Sequence, residues 1–109
     1  MIMQMPDYDR SVAAALDQVM SGIAEAKAGK MFGMPAYKVA GKLAVGVFED
    51  SVTVKVGAAR AKELIGKDGI RSFEPQPGRV WKDWIAISGD LQKHRALLEE
   101  AVRYVAANG

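Results

Sequence analysis

Cysteine is absent from the 109 residues and histidine occurs once. Without cysteine there are no disulfides, thiolate metal sites or sulfur nucleophiles, and the chain suits a reducing cytoplasm better than secretion. The lone His94 follows Asp90 by four residues on an expected helix face. Such a pair is ordinary surface electrostatics, and no nucleophile is spaced to meet it, so no catalytic triad is expected. Metal binding would fall to carboxylates, but Glu49 with Asp50 and Glu99 with Glu100 are neighbours that diverge on a turn and a helix. Long apolar runs are missing as well. The longest, residues 43–48, has six members against the ~20 of a membrane helix. The N-terminal stretch has no basic region or small-residue cleavage pattern, which excludes a signal peptide. Neither GxxxxGK[ST] nor GxGxxG occurs, and Gly66-Lys67-Asp68-Gly69 reads as a helix stop. The expectation is a cytoplasmic, non-enzymatic protein with no cofactor, no metal and no membrane contact.

What is present is one core's worth of apolar residues. Half of the chain is hydrophobic, and a domain of this length buries roughly two thirds of its unfolded surface. Residues 1–109 are read as a single domain, with 1–6 poorly ordered. Val12, Leu16, Val19, Met20 and Ile23 recur at helical spacing, so a first helix is expected between Pro6 and Gly29, capped by Asp7 or Asp9. Gly29 fits its left-handed end. After it the period becomes two: Tyr37 and Val39, then Leu43, Val45 and Val47, then Val52, Val54 and Val56. Ala40-Gly41 and Glu49-Asp50 are short enough for hairpin turns. Residues 58–65 form a short helix, and residues 70–78, with Pro75 and Pro77, read as an ordered loop pinned by Phe73. Residues 79–88 make a fourth strand, and Ser88 or Asp90 caps a closing helix. The fold class is α+β: an antiparallel meander of about four strands covered by the N- and C-terminal helices, in the order αβββαβα.

Charge is nearly balanced, fifteen Lys and Arg against thirteen Asp and Glu, yet the cations concentrate in the middle. Lys55, Arg60, Lys62, Lys67 and Arg71 form a basic segment at 55–71, with Tyr37, Trp81 and Trp84 near if the fourth strand joins the sheet. Cations beside exposed rings suit a nucleic-acid or protein-binding surface. The competing reading is a solvated helix and turn with tryptophans in the core.

From Met31-Phe32-Gly33-Met34-Pro35-Ala36 onward the chain resembles the TfoX N-terminal domain family. The resemblance continues through residues 41–47, Val54-Lys55-Val56-Gly57, Ser72-Phe73-Glu74-Pro75, Gly78-Arg79, Lys82-Asp83-Trp84 and the closing helix at 98–106. It departs at Met34, where many members have glycine, and at Lys55, where many have arginine. It implies an α+β domain in a regulatory, competence- or transcription-linked setting, with no catalytic residues to carry over. With the sequence ending at Gly109, a stand-alone domain is expected, its partner another protein or a second copy of itself. Phe32, Gly33, Tyr37, Lys55, Arg79, Trp81 and Trp84 are the expected contact residues. Two alternatives are nucleic-acid binding through 55–71, and a small-molecule pocket or unassigned enzyme beside Arg79 and Trp84.

Overall fold

A computed structural model of the chain describes residues 8–108. The expected loose segment at 1–6 and the Asp7 cap lie outside them. Helix α1 spans Arg10–Met20 and begins where Asp9 accepts the amides of Ser11 and Val12. It buries Leu16, Val19 and Met20. It ends nine residues before Gly29, because the segment that continued its pattern is strand β1, Ala26–Met31, paired antiparallel to β2, Met34–Val39. Pairing with β2 overrides a local composition of Ala, Lys and Gly that favours no strand.

Strands β3, Lys42–Phe48, and β4, Ser51–Lys55, follow the expected alternation. Helix α2 spans Ala58–Leu64. The expected loop at 70–78 is instead strand β5, Ile70–Gln76, joined by Pro77 and Gly78 to β6, Arg79–Ile87. The strand order is β1-β2-β3-β4-β6-β5. Pro75 therefore lies on an edge strand, at a register shift between Phe73 and Gln76, where its missing N–H removes no ladder bond. The fold is α+β with an antiparallel sheet, as expected, but the sheet has six strands in place of four. The first four form a meander, and β4 then pairs with β6, not β5. A single 3-10 turn, Leu91–His94, capped by Asp90, leads into α3, Arg95–Asn108.

Paired residues project from the same face and alternate along each strand. The helix-covered face carries Val45, Val47, Val52, Val54, Ile85 and Ile87, each at most 1% exposed, packed with Leu16, Val19, Leu64, Leu98 and Val105. The valines are thus covered as their spacing requires. One alternation breaks. Between Tyr37/Val45 and Lys38/Leu43 the register shifts, leaving Ala44 unpaired. This bulge puts Ala44 in the helix-side core and sends Leu43 to the other face. Among the described residues, no helix is long and apolar enough to cross a membrane.

Candidate functional site

The second face of the sheet is packed without helices. Its cluster, Met31, Ala36, Phe73, Trp84 and Ala86 with Leu43, Phe48 and Trp81 against it, draws every member from strands. One row explains how so many rings fit there. Gly29 lies opposite Ala36, Ala36 opposite Gly46, Gly46 opposite Thr53, and Thr53 opposite Ala86. Small side chains floor the sheet across five strands, and the rings lie over them. A Cβ on Gly46 would come within 3.1 Å of Met31 Cε, so the floor has little spare height. The Thr53 hydroxyl is turned to the Gly46 carbonyl at 3.4 Å and that of Ser51 to the Phe48 carbonyl at 3.0 Å. This interior offers no free polar group for chemistry.

The rings form one continuous pile. Phe73 meets Phe48, Trp81 and Trp84 with centroids 5.2, 5.3 and 6.1 Å away. Phe32 caps the pile, 5.8 Å from Phe48 and 5.5 Å from Trp81. In a flat sheet β2 and β6 would stand about 14 Å apart, three strand spacings. The side chains of Phe32 and Trp81, reaching toward each other over the small-residue floor, bridge that width. Phe73 is 2% exposed, whereas Phe32 is 44% exposed and Trp81 half-buried. The outer surface of the pile is thus Phe32 and Trp81.

Phe32 stands at positive φ, as do Ala40 and Glu49 in the next two turns. With φ of 54° at Phe32 and 77° at Gly33, between the opposed residues Met31 and Met34, the hairpin has the two left-handed residues of a type I′ turn. Asn-Gly is the preferred pair there, and a bulky residue at positive φ costs about 1–2 kcal/mol. Two ring contacts at about 0.5–1.5 kcal/mol each offset that cost, so the turn holds a ring outward at little net penalty.

Charge is sorted by element. The six strands carry eight Lys and Arg against Glu74 and Asp83 alone, while the chain carries fifteen against thirteen. Neither acid occupies a paired position; both lie within register shifts of β5 and β6. Register places Lys27 and Lys38 directly opposite each other on the ring face, Lys55 opposite Trp84, and Arg71 opposite Ala86. Alternation from Trp81 adds Arg79. The ring face therefore has a rim of cations without a carboxylate at any paired position.

Of the expected contact residues, Phe32, Gly33, Lys55, Arg79, Trp81 and Trp84 gather on or beside this face. Trp84 is 7% exposed and serves as packing. Tyr37 does not join them: it faces the helices, and its hydroxyl donates to Asp17 Oδ1 at 2.7 Å. Burial, reinforced by that bond and the Asp17 charge, pushes the phenol well above its ordinary range. The 55–71 segment does not form one patch. Lys55 and Arg71 lie on the ring face, where Arg71 donates to Ser88 Oγ at 2.7 Å. Arg60, on α2, donates to Glu100 at 2.9 Å and Glu63 at 3.1 Å, and these bonds raise its pKa further. Lys62 lines a cleft of about 390 Å³ with Ala58, Ala61, Ile65 and Lys82. Lys67 lies in the turn after α2. Lys27, Lys38, Phe48 and Phe73 were missed. Lys27 and Lys38 lie in segments that linear counting does not single out, and the prolines beside Phe73 make its segment read as a loop.

Four clefts of about 190, 360, 390 and 240 Å³ are lined by residues other than Arg79 and Trp84, the pair expected beside a small-molecule pocket. Among the described residues, no three His, Asp or Glu side chains gather closely enough to ligate a metal. Scans against protein-family models, curated proteins and solved structures each return no match to this chain.

Proposed function

We propose that the chain is a non-catalytic interaction domain, of the TfoX N-terminal kind that its sequence resembles, which engages an anionic partner through the ring face of its sheet. One observation carries this reading: a partly exposed ring pair, Phe32 and Trp81, rimmed by Lys27, Lys38, Lys55, Arg71 and Arg79, with no acid at a paired sheet position. Lys27 and Lys38 lie directly opposite each other, a placement that works against the sheet unless the shared field has a use. Fixed cations around an apolar centre steer an anionic partner and leave the rings to be desolvated on contact. The buried hydroxyls of the face are satisfied internally, which suits docking more than catalysis. The resemblance supports a regulatory setting for that contact.

Retention on an immobilised polyanion tests the reading. Lys38→Glu and Arg103→Glu change net charge equally, but Arg103 is exposed on α3, away from the ring face. Elution should move to clearly lower salt for Lys38→Glu and much less for Arg103→Glu. Equal shifts would mean that only total charge matters, and the face would have no role.

A further inference from the structure

Resting on the docking reading, we infer that the anionic partner is a single-stranded nucleic acid, whose backbone follows the cationic rim and whose bases stack on Phe32 and Trp81. Three observations favour it over an acidic protein. The first is the alternation of chemistry across the face. Cations stand on β1, β2, β4, β5 and β6, and the two outer rings, from the β1–β2 turn and from β6, meet over the sheet. A polymer that presents a negative charge and a flat π-face in every unit matches that arrangement, whereas carboxylates on a peptide would leave the rings without flat partners.

The second is Phe32 itself. Ala40 and Glu49 in the next two turns share its positive φ, so the backbone does not set it apart; what does is a phenylalanine ring held there 44% exposed. A large apolar ring displayed on an exposed turn is a reason to look for a partner. The neighbouring Trp81 extends the surface, its ring tilted 45° to that of Phe32. The third is the shape of the face. The four clefts are lined by none of these rings, so the face presents exposed aromatic surface and not one of those pits for a small anion. The bases of a paired duplex are already stacked and are not free to lie on exposed rings.

The experiment compares four labelled probes by anisotropy, with tryptophan fluorescence read in parallel: an oligothymidylate of fifteen residues, the abasic oligomer of equal length, a duplex, and poly-L-glutamate. The oligothymidylate should bind at least about tenfold tighter than the abasic oligomer at the same salt, the scale of one stacked base, and should quench the tryptophans. Phe32→Asn keeps an Asn-Gly hairpin and removes the ring; it should erase most of that tenfold preference and leave abasic binding unchanged. Lys38→Gln should weaken both oligomers and reduce the slope of log affinity against log salt by about 0.7, one phosphate's worth on a single strand. Melting curves establish that each variant is folded.

Equal affinity for oligothymidylate and abasic oligomer, or no effect of Phe32→Asn, overturns the stacking inference while the docking reading stands. Tighter binding of poly-L-glutamate or of the duplex overturns it too, in favour of an acidic protein or a paired nucleic acid. Failure of all four probes to bind at low salt removes the docking reading along with it.

Discussion

Tyr37 shows how a single residue can satisfy the period of a strand and still mislead about function. Its place in the alternation was legible, but whether the ring met a partner or a helix depended on which face α1 covered. Its hydroxyl holds Asp17 of α1 to the sheet. Tyr37→Phe should cost about 1 kcal/mol in urea unfolding at pH 7, the net worth of a hydrogen bond, since Asp17 is exposed and can turn to water. The folded phenol titrates above its unfolded value of about 10. Its contribution is therefore complete below that pH and is lost as pH rises toward the folded value. Wild type should lose stability above about pH 10 more steeply than Tyr37→Phe; parallel pH profiles would refute the assignment. Two glycines separate space from conformation in the same way. At Gly69, φ is 71° and a Cβ would overlap the Ser88 carbonyl oxygen of the neighbouring strand end, which is backbone and cannot yield. At Gly46 the nearest atom is the flexible end of Met31. Gly69→Ala should therefore lower stability by about 2 kcal/mol or more, and Gly46→Ala by less than about 1 kcal/mol. Both follow from denaturant midpoints.

The elements readable from the sequence were those whose own residues decide their state. Valine alternation specifies β3 and β4, and Asp9 marks the start of α1 by accepting two amides. The hydroxyl of Ser11 and those amides hold the Asp9 carboxyl below its ordinary range. Such a group contributes above its unfolded pKa of about 3.9 and loses the contribution as pH falls through its lower folded value, so the melting-temperature gap between wild type and Asp9→Ala should hold down to about pH 5 and shrink below about pH 4. A gap independent of pH would mean that the cap acts only through its neutral hydrogen bonds. The two edge strands were not readable. β1 consists of Ala, Lys, Gly and Met, and β5 carries a proline; each becomes a strand because a stronger neighbour, β2 or β6, supplies the ladder. Edge strands can afford such weak sequences, and Lys and Pro there discourage pairing with other chains. The candidate site inherited the error, since Lys27 and Phe73 belong to these two elements. Lys27 carries a further consequence. Replacing it by Glu converts a like-charged cross-strand pair with Lys38 into an opposite one, worth ~0.2–1 kcal/mol. Lys27→Glu should raise the urea midpoint while weakening oligonucleotide binding; a loss of both would place Lys27 in the packing of β1.

For the molecule as a whole, one sheet serves two interiors of different make. Helices α1, α2 and α3 bury a valine and leucine core against one face, and the other is closed by rings from its own strands. Charge does not follow that division: the residues outside the strands are net acidic, but helices α1, α2 and α3 carry five Lys and Arg against four Asp and Glu, and the excess acid lies in loops and turns. Both tryptophans belong to the ring pile, and the helices do not. Tryptophan fluorescence therefore reports the opening of one interior, and far-ultraviolet circular dichroism the helices over the other. The two interiors share every backbone ladder: Thr53 and Ala86, beneath the rings, alternate with Val52, Val54, Ile85 and Ile87, beneath the helices, on the central strands β4 and β6. Neither face can open without pulling apart pairs that hold the other, so the two probes should give coincident urea transitions with one midpoint, as a two-state domain requires. An earlier fluorescence transition would show that the ring face unfolds by itself.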